Sequence, residues 1–176
     1  LASFFLGIGL PRELAAECEA WRRLFQAPRT KAHITLIPPF MWEEKKGDLK
    51  AILEESTGAL KPFTITGAGL GSFGRRVIFI NVQPTTQLAR LRSKLAESLK
   101  AHGIPKEGRR YKPHITLASR LNRAEFDRFQ KELENYRPAY SFECSEITVF
   151  EFSAAGSWEE KCRIPLGSQK KKGAEL

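Results

Sequence analysis

The sequence predicts an α+β fold: a bilobal, pseudo-two-fold duplicated unit in which antiparallel sheets line a central cleft and helices lie outside. Three observations carry that expectation. The word HITL occurs twice, at His33 to Leu36 and at His114 to Leu117, 81 positions apart. Around each copy the pattern runs in one order: apolar strand, amphipathic helix, strand bearing HITL, helix, aromatic strand. The spacing is kept as well, with 30 residues from His33 to Phe63 and 28 from His114 to Phe142. Two copies at so long a period indicate a duplicated α+β unit and not a solenoid. Like units packed about an axis bring equivalent strands together, which places the two words on opposite walls of one groove.

The elements follow in order. The stretch "SFFLGIG" reads as a buried strand, and Pro11 suits the opening of a helix along which Leu14, Cys18, Trp21 and Phe25 recur at helical spacing. After a break at Pro28, "KAHITLI" is β-branched and alternating, a strand closed by the double proline Pro38-Pro39. Leu49, Ile52, Leu53 and Leu60 mark a short helix. "PFTIT" restarts extended structure, "GAGLGSFG" reads as a glycine-rich turn, and "RVIFINV" is a strand. Leu88, Leu91, Leu95 and Leu99 form one face of the next helix. The loop "HGIPKEGRR" leads to "YKPHITLA", so the second word also sits on a strand. Phe126, Phe129, Leu133 and Tyr136 make a last amphipathic helix ended by Pro138, and "YSFEC", "EITVFEF" and "EEKCRIPL" supply the remaining strands.

At 176 residues and 41% hydrophobic, the chain has the size of one ordinary domain. Residues 1–168 are assigned to a single bilobal domain. Residues 169–176, which include three consecutive lysines, are assigned to a basic, solvated tail. Lys and Arg number 29 against 20 Asp and Glu, a formal net charge of +9, which favours polyanionic partners such as nucleic acid or phosphorylated small molecules. Cys18, Cys144 and Cys162 have no metal-type spacing and cannot all pair, which points to a reducing, cytoplasmic setting. "FFLGIGL" is too short to span a bilayer and lacks the flanks of a signal peptide. No membrane partner and no metal or other cofactor are expected, and a monomer is.

Side chains at i and i+2 of a strand point the same way, so each word presents one imidazole and one hydroxyl while Ile34 and Ile115 turn to the core. Imidazole exchanges protons near neutrality. A pair can divide acid and base roles, while Thr35 and Thr116 can donate to non-bridging phosphate oxygens. The set suits phosphodiester cleavage by His33 and His114. A lone HxT is more simply a strand histidine beside a threonine of high β-propensity; a matched pair in a duplicated frame reverses that preference. His102, at a helix end before Gly103, reads as a cation favoured by the helix dipole.

The paired HxT words, "PHITLA", "LGSFGRRVIFINV" and "FSAAGSWEEKCRIPL" resemble the 2H phosphoesterase superfamily, in particular its RNA 2′,3′-cyclic phosphodiesterases, the LigT-like 2′-5′ RNA ligases. The resemblance runs from about Phe4 to Leu166. It implies a bilobal fold with a basic cleft. The implied reaction is metal-independent hydrolysis of RNA 2′,3′-cyclic phosphate ends, or of cyclic nucleotides, to 2′-phosphates, with reverse 2′-5′ ligation in some members. It implies His33 as the acid for the 3′-oxygen, His114 as the base for water, and Thr35 and Thr116 as phosphate holders. In many members an arginine closely follows the second word; here Ser119 holds that place and Arg120, the corresponding substrate contact, comes one later. The first word runs into "IPPF", as in a related subgroup.

Phe40 and Tyr111, and less so Trp42, are close enough in sequence to stack on a nucleobase. Arg109, Arg110 and Lys112 precede the second strand and can draw phosphates in. "GLGSFG" lacks the Lys-Ser/Thr of a phosphate loop. The rival reading is a catalytically silent, basic RNA- or nucleotide-binding module, which would not require two matched titratable groups.

Overall fold

The computed structural model describes residues 1–27 and 30–167; the expected break at Pro28 and the basic tail 169–176 lie outside the described residues. The element order is β1 (Ala2–Gly9), α1 (Arg12–Leu24), β2 (His33–Trp42), α2 (Leu49–Thr57), β3 (Phe63–Ala68), β4 (Leu70–Phe73), β5 (Val77–Asn81), α3 (Thr86–Ala101), β6 (His114–Ala118), α4 (Arg123–Glu132), β7 (Ala139–Cys144), β8 (Glu146–Phe152) and β9 (Trp158–Pro165). All pairings are antiparallel. One seven-stranded sheet has the order β4-β5-β6-β2-β1-β8-β9, and β3 pairs with β7 in a second sheet.

The duplication is visible in that order. Exchanging β1 with β5, β2 with β6 and β4 with β8 reads β4-β5-β6-β2-β1-β8 backwards. The pseudo-two-fold axis passes between β2 and β6, where Ile34 pairs with its own equivalent, Ile115, and between β3 and β7. Each unit also lends a strand to the other: β4 pairs with β5 and β8 with β1.

Local chemistry explains the helices. Asp48 caps α2 by accepting from the Lys50 and Ala51 amides, and Thr85 caps α3 by accepting from Leu88 at 3.1 Å. Asn122 and Glu125 form a reciprocal capping box at α4, together satisfying N–H groups that a helix start leaves open. Leu88, Leu91, Leu95 and Leu99 are all buried, as their spacing predicts. They join Ile34, Leu36, Ile115 and Leu117 in one apolar cluster that includes residues of both units.

Three expectations are corrected. The double proline does not end the first HITL strand: β2 runs on to Trp42. Leu6 pairs with Ile37 and Phe4 with Phe40, so Pro38 and Pro39 fall in a bulge, where an absent N–H breaks no ladder bond. "GAGLGSFG" is not simply a turn but the end of β3 and all of β4, pivoting at Gly69 (φ 77°). Any side chain at Gly67 would strike the Asn81 carbonyl and the Tyr140 hydroxyl, so glycine is needed where the small sheet crosses the large one. Finally, α4 stops at Glu132, short of Tyr136, whose ring packs on Trp21 at 5.2 Å between centroids.

Candidate active site

Ile34 and Ile115 point to the core, so His33, Thr35, His114 and Thr116 project from the opposite face of the same two strands. The pairing Ile34↔Ile115 sets His33 opposite Thr116 and Thr35 opposite His114, with the two histidines on a diagonal across the pair. The words therefore lie side by side on neighbouring strands of one sheet and not on opposing walls as expected. Both imidazoles project from the same face of the sheet.

The two histidines are held alike. The Nδ1–H of His33 donates to the Lys31 carbonyl at 2.7 Å, and that of His114 donates to the Lys112 carbonyl at 2.8 Å. A carbonyl can only accept, so each bond selects the Nδ1–H tautomer and leaves Nε2 as the reactive nitrogen. The Thr35 hydroxyl donates to His33 Nε2 at 3.1 Å. Each ring also packs against a touching pair of phenyl groups from the same sheet, Phe5 and Phe150 for His33 (centroids 4.8 and 5.3 Å away), Phe73 and Phe79 for His114 (4.9 and 5.1 Å). Phe5 and Phe79 lie on equivalent strands, as do Phe150 and Phe73, so the axis relates the aromatic settings as well.

Those apolar surroundings make the imidazolium less favourable. Burial brings the His33 pKa down to about 4, the Lys31 carbonyl opposing and the charges of Arg22 and His114 adding to the fall. Burial likewise lowers His114, against its Lys112 carbonyl and with the Lys112 ammonium adding. At neutral pH both enter as neutral imidazoles.

β2 and β6 share a single pair and diverge to either side. Each divergence is plugged by a polar side chain. The Arg22 guanidinium, nine-tenths buried, donates to the Thr116 carbonyl at 2.7 Å and to the Thr30 carbonyl. The Tyr111 hydroxyl donates to the Thr35 carbonyl at 2.7 Å, and burial keeps that phenol protonated by raising its pKa. The carbonyls of the two equivalent threonines are thus each fixed by a long side chain.

A groove of about 730 Å³ opens beside Thr35 and His114, walled by Phe73, Arg76, Arg92, Arg109, Arg110, Tyr111, Lys112, Ser119 and Arg120, with Glu107 the acidic side chain in its lining. Arg120 has φ 55°, an uncommon, left-handed conformation for arginine. Through it the chain turns so that Ser119 and Arg120 both reach the groove, and the one-residue shift after the second word does not remove an arginine from the site.

Thr35, His114, Tyr111 and Arg120 thus line one groove, and His33 and Thr116 project from the same face of the two strands beside it. Phe40 lies outside this groove: past the bulge at Pro38-Pro39 it packs against Phe4 and Trp42 and borders a neighbouring cavity instead. Trp42 is core, its indole N–H donating to the Gly47 carbonyl. Tyr111 borders the groove, but its ring carries the Arg92 guanidinium at 4.5 Å, so it positions Thr35 instead of offering a free stacking face. The exposed aromatic ring beside His114 is Phe73, which sequence reasoning passed over because "GSFG" read as a turn. Arg76, Arg92 and the phenyl settings were missed too; only sheet register reveals them. His102 stands at the C-terminal end of α3, its Nδ1–H donating to the Ser98 carbonyl.

Among the described residues no group of three or more His, Cys, Asp or Glu is placed to hold a metal ion, and no helix is long and apolar enough to cross a membrane. Cys18, Cys144 and Cys162 are free thiols.

Fold and site together define a duplicated, two-histidine phosphoesterase architecture. The family model of the 2′-5′ RNA ligase superfamily matches residues 10–156, and the chain belongs to that superfamily. Among solved structures it is similar to Escherichia coli LigT complexed with 3′-AMP, at 23% identity and a TM-score of 0.70 over 94% of this chain and 98% of that one. It is also similar to TT0787 of Thermus thermophilus, at 21% identity and a TM-score of 0.69 over 95% and 99%. At this identity the likeness speaks to the fold. No curated protein matches by sequence.

Proposed function

We propose that this protein hydrolyses RNA 2′,3′-cyclic phosphate ends to 2′-phosphates through His33 and His114. The observation that carries the reading is the matched pair of carbonyl anchors, Lys31 and Lys112, which turn both imidazoles to the same tautomer on one face of one sheet. A structural histidine needs no such symmetry; an acid and base acting on one phosphorus do.

In the forward step His114 Nε2 takes a proton from water, the water oxygen bonds to phosphorus, and the bond from phosphorus to the 3′-oxygen breaks. His33, protonated at Nε2 when the anion is bound, gives that proton to the departing 3′-oxygen. The phosphate stays on the 2′-oxygen, and the two histidines have exchanged protonation states. Thr35 leaves His33 Nε2 to donate, with Thr116, to non-bridging oxygens where charge accumulates. Arg120 and the neighbouring cations hold the phosphate. With an RNA 5′-hydroxyl in place of water, His114 takes the hydroxyl proton, the 5′-oxygen bonds to phosphorus, the bond to the 3′-oxygen breaks with a proton from His33, and a 2′-5′ link results, in line with the superfamily's description. The 3′-AMP complex of the E. coli relative lends support to a nucleotide ligand.

Incubation with cyclic-phosphate-ended RNA in chelator, with the product identified by chromatography, tests the reading. A 2′-phosphate is expected, and His33→Ala or His114→Ala is expected to lower the rate by at least about 100-fold, the usual share of a positioned acid or base. Binding without turnover in the unaltered protein would leave a silent RNA-binding module.

A further inference from the structure

A second cavity of about 680 Å³ lies between the outer half of β2 and helix α3. It adjoins the histidine groove, since Pro38, Arg92 and Glu107 line both. Arg92 stands at the junction. Its guanidinium is stacked 4.5 Å over the ring of Tyr111, the residue that fixes the Thr35 carbonyl. Stacking sets the plane of the guanidinium without using its hydrogens. Its Nε is buried and has no hydrogen-bond partner, and no ion pair joins Arg92 to a carboxylate among the described residues. A buried donor left unmet is unfavourable, so such a group is poised for an acceptor. Glu107, the carboxylate at the same junction, is held by Arg109 at 3.8 Å. Lys46 and Lys106 line the second cavity beyond it.

We propose that Arg92 and the second cavity form a subsite for the RNA strand on the 5′ side of the reacting end. Arg92 holds a backbone phosphodiester at the junction, and the nucleotide beyond it enters the second cavity between Lys46 and Lys106. A planar guanidinium matches the paired oxygens of a phosphodiester, whereas a mononucleotide in the histidine groove has no phosphate to place there. The preferred substrate is therefore an oligonucleotide. The inference rests on the cyclic-phosphate reading for its chemistry, but its test separates the two.

The experiment compares kcat/KM for a cyclic-phosphate-ended trinucleotide and for a 2′,3′-cyclic mononucleotide, in the unaltered protein and in Arg92→Met. Fluorescence anisotropy of a labelled trinucleotide with a 3′-terminal phosphate measures binding independently of turnover. The trinucleotide is expected to be preferred by about tenfold or more, and Arg92→Met to remove most of that preference, as expected for one charge-assisted contact. Should Arg92→Met disturb Tyr111 and the fold, Lys106→Met at the exposed rim lowers the same ratio severalfold. Equal kcat/KM for the two substrates would overturn the subsite and leave the proposed reaction standing. Hydrolysis of neither, with trinucleotide binding weakened in Arg92→Met, would overturn the reaction and support the subsite. Trinucleotide binding unchanged in both variants would overturn the subsite whatever the hydrolysis shows.

Discussion

At the scale of single residues, the depressed pKa values of His33 and His114 have a definite consequence for rate. Catalysis needs one imidazole protonated and the other neutral. His33, the assigned acid, is the more strongly depressed of the two, so the working form is the minor arrangement of the singly protonated pair, with the proton on His33 and not on His114. Its share follows that of the pair, which is lost as pH rises through the higher of two values that both lie below the usual 6.5 and lost again as pH falls through about 4. The kcat/KM profile is therefore expected to be a bell with its maximum on the acid side of pH 6.5. A profile still rising at pH 8 would contradict it. The same depression acts on stability. Between pH 6.5 and 4 the unfolded chain binds protons that the folded one refuses. The contribution of His33 is therefore complete above 6.5 and is lost as pH falls, at about 1.4 kcal/mol for each pH unit. A bound phosphate anion works in the other sense by favouring the imidazolium, so phosphate-ended ligands bind more tightly in mild acid.

At the scale of elements, the splayed pair β2 and β6 is the feature on which the site depends. Had the two strands paired along their length, the Thr35 and Thr116 carbonyls would be spent in the ladder; with one pair only, Arg22 from α1 and Tyr111 from the loop before β6 take them. Replacing Arg22 by methionine keeps the aliphatic packing but strips the Thr116 and Thr30 carbonyls of a donor in a buried setting. The expected loss is about 2–5 kcal/mol of unfolding free energy for a buried charged network with two acceptors, measured by urea denaturation. A variant within about 0.5 kcal/mol of the unaltered protein, the scatter of a neutral surface change, would refute that role. Because Arg22 reaches the backbone of Thr116 and not its side chain, any rate effect should follow Thr116 and alter kcat more than KM.

At the scale of the whole molecule, the positive charge is not spread evenly around the axis. The groove beside His114 gathers Arg76, Arg92, Arg109, Arg110, Lys112 and Arg120, while the hollow at the His33 end, past Gly9 and Lys31, carries Glu19, Glu143, Glu146 and Glu160 against Lys31 and Arg163. The fold is pseudo-symmetric but its field is polar. An RNA strand is expected to leave the site on the His114 side, and its affinity to fall with salt with a slope of about −0.7 per neutralised phosphate. Anisotropy titrations of a phosphate-ended oligonucleotide between about 50 and 200 mM salt, conditions that span the usual range, check this. Charge reversal at Arg109 or Arg110 is expected to flatten the slope, and at Glu143 to leave it unchanged.

Much of this was readable before any coordinates. Periodicity located the helices and strands because core packing enforces it. The HITL repeat marked the four polar groups because alternation along a strand fixes which side chains share a face. Proline and glycine misled: Pro38-Pro39 signals an end only where an N–H is required, and "GAGLGSFG" signals a turn only where no neighbouring sheet demands small residues. Phe40 stood near the site in sequence and Phe73 far from it, yet past a bulge the first lies outside the groove and a strand exchange brought the second to His114.

The sequence by itself determined the duplicated α+β plan, the paired imidazoles and hydroxyls, and the basic character of the chain, since each is written in local spacing or composition. Only the tertiary structure decided that the two words lie adjacent on one sheet, that Arg22 and Tyr111 hold them apart, and that Arg92 lines two adjoining cavities. Those are contacts between residues tens of positions apart, and they are set by strand register and by how side chains fill the space between elements, which no local pattern encodes.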